Sequence, residues 1–228
     1  YYVKLEPITK EKKMNMEPSI FREYDIRGTY PEQINEASIK LIAHAIARKC
    51  RETGVDNIVV GRDGRLSGLS LLNSFCSALL ECGINVNNIG LVTSPLLYYA
   101  AKKSISKSGV MITGSHNPKN YNGIKIILDD NPLFDKGIYA LRDWIVNNSI
   151  MQNINENPPS ACADILDKYI RRIKKDISIN LENRFVIDCM NGVTGNVIEK
   201  ITKVFNINAE FINNNVDGNY PNCDPDPT

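Results

Sequence analysis

Between residues 57 and 113 the apolar pattern switches repeatedly between short β-branched runs and longer helical stripes. Ile58, Val59 and Val60 form a run typical of a strand, and the glycines of the segment Gly61 to Arg65 end it. Ser67 stands where a helix cap is expected, and Leu69, Leu72, Cys76, Leu79 and Leu80 make the stripe of a helix closed by Gly83. A strand over Val86–Val92, a helix over Pro95–Lys102 begun by its proline, and an apolar strand over Gly109–Thr113 follow. Strands alternating with helices predict an α/β fold around a largely parallel mixed sheet.

The flanks extend the pattern. From Ile34 a helix is expected, with Asn35 as cap, Ile39, Ile42 and Ile46 on one face, Leu41 and Ala45 beside them, and Gly54 at its end. Asn122-Gly123 is a turn dipeptide, and it precedes a strand over Ile124–Leu128 and a helix over Asp135–Val146. Residues 147–160 are asparagine-rich, contain Pro158-Pro159 and lack apolar periodicity, as an interdomain linker would. A helix over Ala163–Lys175, a strand over Arg184–Cys189, a helix over Val193–Phe205 and a strand over Ala209–Ile212 begin a second α/β unit. One βαβ unit cannot cover both faces of a sheet, so residues 161–228 read as an incomplete domain. Residues 1–13 are polar, aperiodic and begin with Tyr1, and they are expected outside the fold as an N-terminal extension, leaving 14–146 as the first domain.

Charge and cysteine usage narrow the partners. The 27 basic and 26 acidic residues leave a net charge of +1 without long blocks of one sign, which predicts neither nucleic acid nor an anionic membrane as partner. No apolar run approaches the roughly 20 residues that span a bilayer. Six cysteines, with no CxxC pair and no metal-finger spacing, are expected as reduced thiols of a cytoplasmic, monomeric protein.

The chemistry concentrates in residues 109–128. A strand delivers Ser115, His116 and Asn117 to a loop at its carboxyl end, where open α/β sheets place ligands. The loop returns into a strand carrying Lys125, so a hydroxyl and an ammonium stand at the two mouths of one loop, an arrangement suited to phosphoryl transfer. Taken alone, a Ser-His dipeptide is weak evidence, and Lys125 reads equally well as a solvated strand residue. Arg27 reads equally well as a surface partner of Asp25 or Glu23. Arg62, Asp63 and Arg65 are expected to hold their loop above the sheet through salt bridges, and His44 to pack within a helix. A serine hydrolase is disfavoured, because TGSHNP is not a GxSxG elbow and supplies no acid to orient His116.

TGSHNP at 113–118 followed by YNGIK at 121–125 resembles the phosphoserine signature of the α-D-phosphohexomutases. FREYDIRG at 21–28, VVGRDGRLSG at 59–68, TSPLLYYAAK at 93–102, DCMNGVTG at 188–195 and VDGNYPNCDPDP at 216–227 resemble the same family in its order, most closely its phosphomannomutase/phosphoglucomutase branch. The resemblance implies an isomerase that interconverts hexose 1-phosphates and 6-phosphates of mannose or glucose. Ser115 would carry the transferred phosphoryl group, and a hexose 1,6-bisphosphate would be both intermediate and activator. It further implies Mg²⁺ bound through the phosphate on Ser115, Lys125 in acid/base or electrostatic duty, His116 assisting, Arg27 near the transferring phosphate and Tyr24 touching substrate. Phosphoglucosamine mutase is the alternative activity, disfavoured by YNG where that branch carries DNG, and a non-catalytic phosphosugar-binding fragment is the alternative class. Two departures stand out: Cys223 and Asp224 replace histidines of close relatives, and the family's DGDxDR-type metal loop is not found up to Thr228. The 228 residues are therefore expected to be inactive by themselves.

Overall fold

In the computed structural model, residues 16–148, 165–179, 182–222 and 224–226 are described. The expected extension 1–13 and all but the first two residues of the expected linker lie outside them.

A six-stranded mixed sheet has the order β1-β5-β4-β2-β3, with β6 paired to the outer end of β5. Its strands are β1 (Ile26–Thr29), β2 (Asn57–Arg62), β3 (Asn85–Leu91), β4 (Gly109–Ile112), β5 (Tyr121–Leu128) and β6 (Asn131–Pro132). The helices α1 (Glu36–Thr53), α2 (Gly68–Glu81), α3 (Ser94–Lys103) and α4 (Lys136–Asn147) cover it. Helical crossovers make β3, β2 and β4 parallel, whereas β4 returns to β5 through a loop with no helix, so β5 is antiparallel to β4 and to β1. The parallel part is thus confined to three strands, and the change of direction falls at the loop that carries Ser115.

Local chemistry explains the elements that matched expectation. Asn35 Oδ1 accepts the amides of Ala37 and Ser38 while Ser38 Oγ accepts that of Asn35, which closes a capping box at the start of α1. Gly54 ends that helix in the left-handed region at φ 73°. Pro95 lies in the first turn of α3, where a missing amide costs nothing.

The two faces of the sheet carry separate cores. Ile26, Ile58, Val60, Val110, Ile112, Ile124 and Ile126 pack with α1, α2 and α4 on one face. Val59 and Met111 pack with Leu96, Leu97 and Ala100 of α3 on the other. Ile165, Leu166 and Tyr169 of a later helix, α5 (Ile165–Asp176), lie over this second cluster, and the Tyr99 and Tyr169 rings meet at 5.3 Å. Beyond α5, β7 (Phe185–Asp188), α6 (Thr194–Val204) and β8 (Ala209–Ile212) form a parallel βαβ unit, with Lys200 of α6 paired to Asp167 of α5. No helix among the described residues is long and apolar enough to cross a membrane.

Three local expectations need correction. Ser67 makes no side-chain cap bond; its hydroxyl instead accepts Asn122 Nδ2 at 2.8 Å. The buried stripe of α2 runs through Leu71, Leu72, Phe75, Cys76 and Leu79, leaving Leu69 and Leu80 exposed, because α1 and the sheet press on a face rotated from the expected one. Asn122-Gly123 is not a turn: both residues lie in β5, opposite Gly28 and Arg27 of β1. Gly123 is required by crowding, since a Cβ there would stand 2.2 Å from the Ile26 carbonyl oxygen.

Candidate active site

Strand alternation divides β5 into two sets of side chains. Ile124 and Ile126 enter the core, and Lys125 points to the face that carries Met111. Antiparallel register sets Arg27 of β1 against Gly123, so Arg27 and Lys125 share that face at the end of the sheet beyond α3. Asp25 joins them. Its Oδ2 lies 2.5 Å from an Arg27 terminal nitrogen and 3.2 Å from Lys125 Nζ, and its carboxylate is almost wholly buried. The ion pair weighed for Arg27 from the sequence therefore exists, but it is part of a three-member cluster around a buried carboxylate, with Lys125 partly exposed, rather than a surface contact. Arg27 Nε is buried and makes no hydrogen bond, so one donor of the guanidinium is left unsatisfied.

Residues 21–26 turn tightly beside this cluster. A Phe21–Ile26 bridge, with the Arg22 amide donating to the Asp25 carbonyl at 2.9 Å, folds the chain so that Tyr24 stands 69% exposed. A hydrogen bond to Glu23 and the charge of that carboxylate push the Tyr24 phenol above its usual range.

Ser115 follows β4 by three residues and is exposed at φ 54°, a left-handed conformation that costs a residue with a Cβ about 1–2 kcal/mol. The surrounding bonds enforce it. The Ser115 amide donates to Thr113 Oγ1 at 2.9 Å, and the Asn117 amide and Nδ2 both donate to the Gly114 carbonyl. Asp63 Oδ2 accepts Thr113 Oγ1 at 2.7 Å and the Gly114 amide at 3.1 Å. Arg65, 1% exposed, runs beneath the loop. One terminal nitrogen donates to the carbonyls of Pro118 and Tyr121 and the other to those of Ser115 and Asn117, at 2.5–3.0 Å.

Asp63 and Arg65 thus do hold their own loop, through their ion pair and the Arg65 amide on Asp63 Oδ1, and they hold the loop bearing Ser115 as well. Sequence spacing could not show it, because these partners lie 50 to 56 residues apart. The only hint was a buried-type pattern of glycines around charges in GRDGR. Arg62 stays apart, bonded to the Asp63 carbonyl, and burial lowers its pKa. His44 packs against Cys82, with Nδ1 3.1 Å from Sγ.

The structure gathers Arg27 and Lys125 on Asp25, and it sets Ser115 and His116 on the rigid loop at the adjoining end of β4. No hydrogen bond joins Ser115 or His116 to Arg27 or Lys125. An exposed hydroxyl on a fixed backbone is accessible to a phosphoryl donor, and cations near a phosphoryl group neutralise its charge. Among the described residues no group of three or more His, Cys, Asp or Glu is placed to hold a metal ion. A cavity of about 390 Å³ lies on the flank of the loop, lined by Lys119, Asn120, Ser67 and Ser70 rather than by the cluster above.

Comparison with known proteins gives a consistent result. Residues 18–148 match the model of the phosphoglucomutase/phosphomannomutase alpha/beta/alpha domain I, and residues 167–228 match that of domain II. A phosphomannomutase/phosphoglucomutase of Pseudomonas aeruginosa is 39% identical over 92% of this chain and 44% of its own length. A phosphoglucomutase of Neisseria meningitidis serogroup B is 37% identical over 92% of this chain and 45% of its own. The crystal structure of a phosphoglucomutase/phosphomannomutase family protein from Burkholderia thailandensis superposes with a TM-score of 0.84 at 32% identity, covering 93% of this chain and 48% of that one. The chain spans less than half the length of these relatives.

Proposed function

This chain belongs to the phosphoglucomutase/phosphomannomutase family, and on that premise we propose that it supplies the phosphoserine side of a hexose-phosphate mutase. The observation that carries the proposal is Ser115, exposed in a left-handed conformation on a loop whose carbonyls one buried arginine holds. Strained, over-determined backbone of this kind concentrates at functional sites.

In the proposed step, a hydroxyl of a mannose or glucose monophosphate attacks the phosphorus on Ser115. The bond from phosphorus to Ser115 Oγ breaks as the bond to the sugar oxygen forms, giving a hexose 1,6-bisphosphate. Arg27 is assigned to the phosphoryl oxygens, which a planar guanidinium binds in pairs. Lys125, paired with Asp25 Oδ2 at 3.2 Å, is assigned to supplying positive charge beside the transferring group. The sugar proton is assigned to His116, exposed next to Ser115 in the chain; the imidazole passes it to the departing Ser115 Oγ so that the serine leaves as a hydroxyl. Tyr24, on its exposed turn, is assigned to the sugar. The reverse step, on the other phosphate, restores the serine phosphate, so the same bisphosphate added from outside would serve as activator.

Magnesium fits this chain only in part. A phosphate on Ser115 would offer one hard oxygen, and the described residues add no cluster to complete a site. The ion would screen phosphate charge when bound. We propose that residues 147–160 connect two domains, and that the protein is a cytoplasmic monomer; Cys50, Cys76, Cys82 and Cys189 are free thiols.

Mass spectrometry tests the central assignment. Treatment with glucose 1,6-bisphosphate is expected to add one phosphate at Ser115 and none in Ser115→Ala, and phosphate at another serine in both samples would refute it. In a coupled assay from glucose 1-phosphate to glucose 6-phosphate, the 228 residues by themselves are expected to stay at background. Each missing electrostatic partner costs roughly 100- to 1,000-fold in rate.

A further inference from the structure

The grip of Arg65 on the serine loop depends on a segment far away in the chain. Gly114 presents bare backbone to the guanidinium: a Cβ there would lie 2.3 Å from Arg65 Cζ and Nε. The Tyr220 ring, from the loop after β8, stands 5.9 Å from Arg65 Cζ. The same loop closes on the backbone around Arg65. A Cβ at Gly218 would lie 2.6 Å from the Gly64 carbonyl oxygen and 2.7 Å from the Leu66 amide, and one at Gly64 would lie 2.5 Å from Val216 Cγ1. Contacts this close leave no room for water at Gly64 and Gly218, while the cavity of the serine-loop flank opens farther along the same seam, between Leu66 and Ser67 on one side and Asn219 on the other.

The 216–220 segment is tied in turn to the βαβ unit. The Asp217 amide donates to the Asn191 carbonyl at 2.9 Å, Asn191 Nδ2 donates to the Asn215 carbonyl at 3.0 Å, and the Tyr220 amide donates to the Asp217 carbonyl at 3.1 Å. Tyr220 itself is held at φ 50°, and burial raises its phenol pKa. Asn191 belongs to the turn after β7. A continuous chain of contacts therefore runs from that turn through Tyr220 and Gly218 to Arg65, and from Arg65 to the carbonyls of Ser115, Asn117, Pro118 and Tyr121.

We propose that residues 216–220 are a brace, with Tyr220 and Gly218 as positioning residues that keep Arg65 in its four-carbonyl grip and so fix the geometry of Ser115. The physical reason is competition for donors. Arg65 is buried with its Nε unbonded and with Asp63 Oδ2 only at 3.4 Å. Its terminal nitrogens stay on the loop carbonyls as long as water is kept from the guanidinium face, and the Tyr220 ring covers that face. With the brace unseated, water takes those donors and the serine loop relaxes from its strained conformation. The consequence for activity rests on the phosphoserine reading; the brace itself does not.

Amide hydrogen exchange on the 228-residue protein tests the brace directly, because the amides of Ser115, Asn117 and Tyr121 are all bonded within the loop. In Tyr220→Ala their exchange is expected to rise on the order of five-fold, the loss of one partly desolvated cation–ring contact, while amides of β2 and β4 keep their protection. Gly218→Ala is expected to act in the same direction, and Tyr220→Phe, which keeps the ring, to restore the parent pattern. The rate of phosphate uptake at Ser115 from glucose 1,6-bisphosphate should fall in parallel. Unchanged exchange at the three amides in Tyr220→Ala and Gly218→Ala would overturn the proposal, and so would a uniform rise across the sheet. If the parent protein takes up no phosphate, the phosphoserine reading fails while the exchange data still decide the brace.

Discussion

Replacing Gly123 with alanine would put a Cβ 2.2 Å from the Ile26 carbonyl oxygen and 3.2 Å from both Arg27 Cα and the Thr113 carbonyl oxygen. A carbon and a carbonyl oxygen in favourable contact stand about 3.3–3.6 Å apart, so β1 and β5 must part by about 1 Å at this point. The obstructing atoms are backbone and cannot swing aside. Four residue pairs register between the strands; losing two or three of their hydrogen bonds, at about 0.5–1.5 kcal/mol each, gives a destabilisation of about 1–4.5 kcal/mol. Gly123 is not among the glycines with positive φ, so no conformational strain adds to this figure. Were Asn122-Gly123 the open turn that the sequence suggests, alanine in a compatible conformation would instead be neutral or stabilising by about 0.4–1 kcal/mol. The two structures thus differ in sign. Urea unfolding measures the change, and hydrogen exchange at Arg27 and Thr29 shows whether β1 has come loose. A variant as stable as the parent, with β1 amides still protected, would refute the assignment of Gly123 to a crowded strand crossing.

Other perturbations probe separate parts of the molecule. Asp25→Asn removes the anion between Arg27 and Lys125; loss of one partner from a buried pair costs about 3–5 kcal/mol, and because Lys125 is 28% exposed and rehydrates, we expect a smaller loss by urea unfolding. Burial holds the His44 imidazole below its ordinary range, so its contribution to stability is complete above the unfolded value, about pH 6.5, and is lost as pH falls through the folded one. His44→Gln should accordingly lose less stability than the parent between about pH 7.5 and 5.5, and an identical loss in both would contradict this. Limited proteolysis should cut first within residues 147–160, and first cuts within 57–128 would show the domain division to be wrong.

What could be seen in the sequence was whatever local chemistry decides. Asn35 and Gly54 bracket α1 because capping needs residues only three or four positions away, and Pro95 marks α3 for the same reason. The β-branched run at Ile58 declares a central strand regardless of its neighbours. Ser115 stands out in the sequence as the proposed centre of the site only through a motif. The misread features depend on partners distant in sequence. Asn122-Gly123 looks like a turn until β1 is laid against it, and Leu69 looks like core until α1 fixes which side of α2 is covered. Asp25 and Arg65 carry charges that by default belong in water; the pairing of Asp25 with nearby Arg27 is local, but nothing local reveals that Lys125 joins it or that four carbonyls enclose Arg65.

The loop bearing Ser115 is fastened at both stems, to β4 and β5, and along its inner side by Arg65. A loop so fastened loses its freedom when the protein folds, not when a sugar arrives, and the serine is a fixed post rather than an arm. A fixed post cannot reach from one end of a hexose to the other. In any reaction that gives phosphate to one end of the sugar and takes it from the opposite end, the sugar has to do the turning, and the cavity around the post must be wide enough to let a bisphosphate rotate and enclosed enough to keep it from diffusing away.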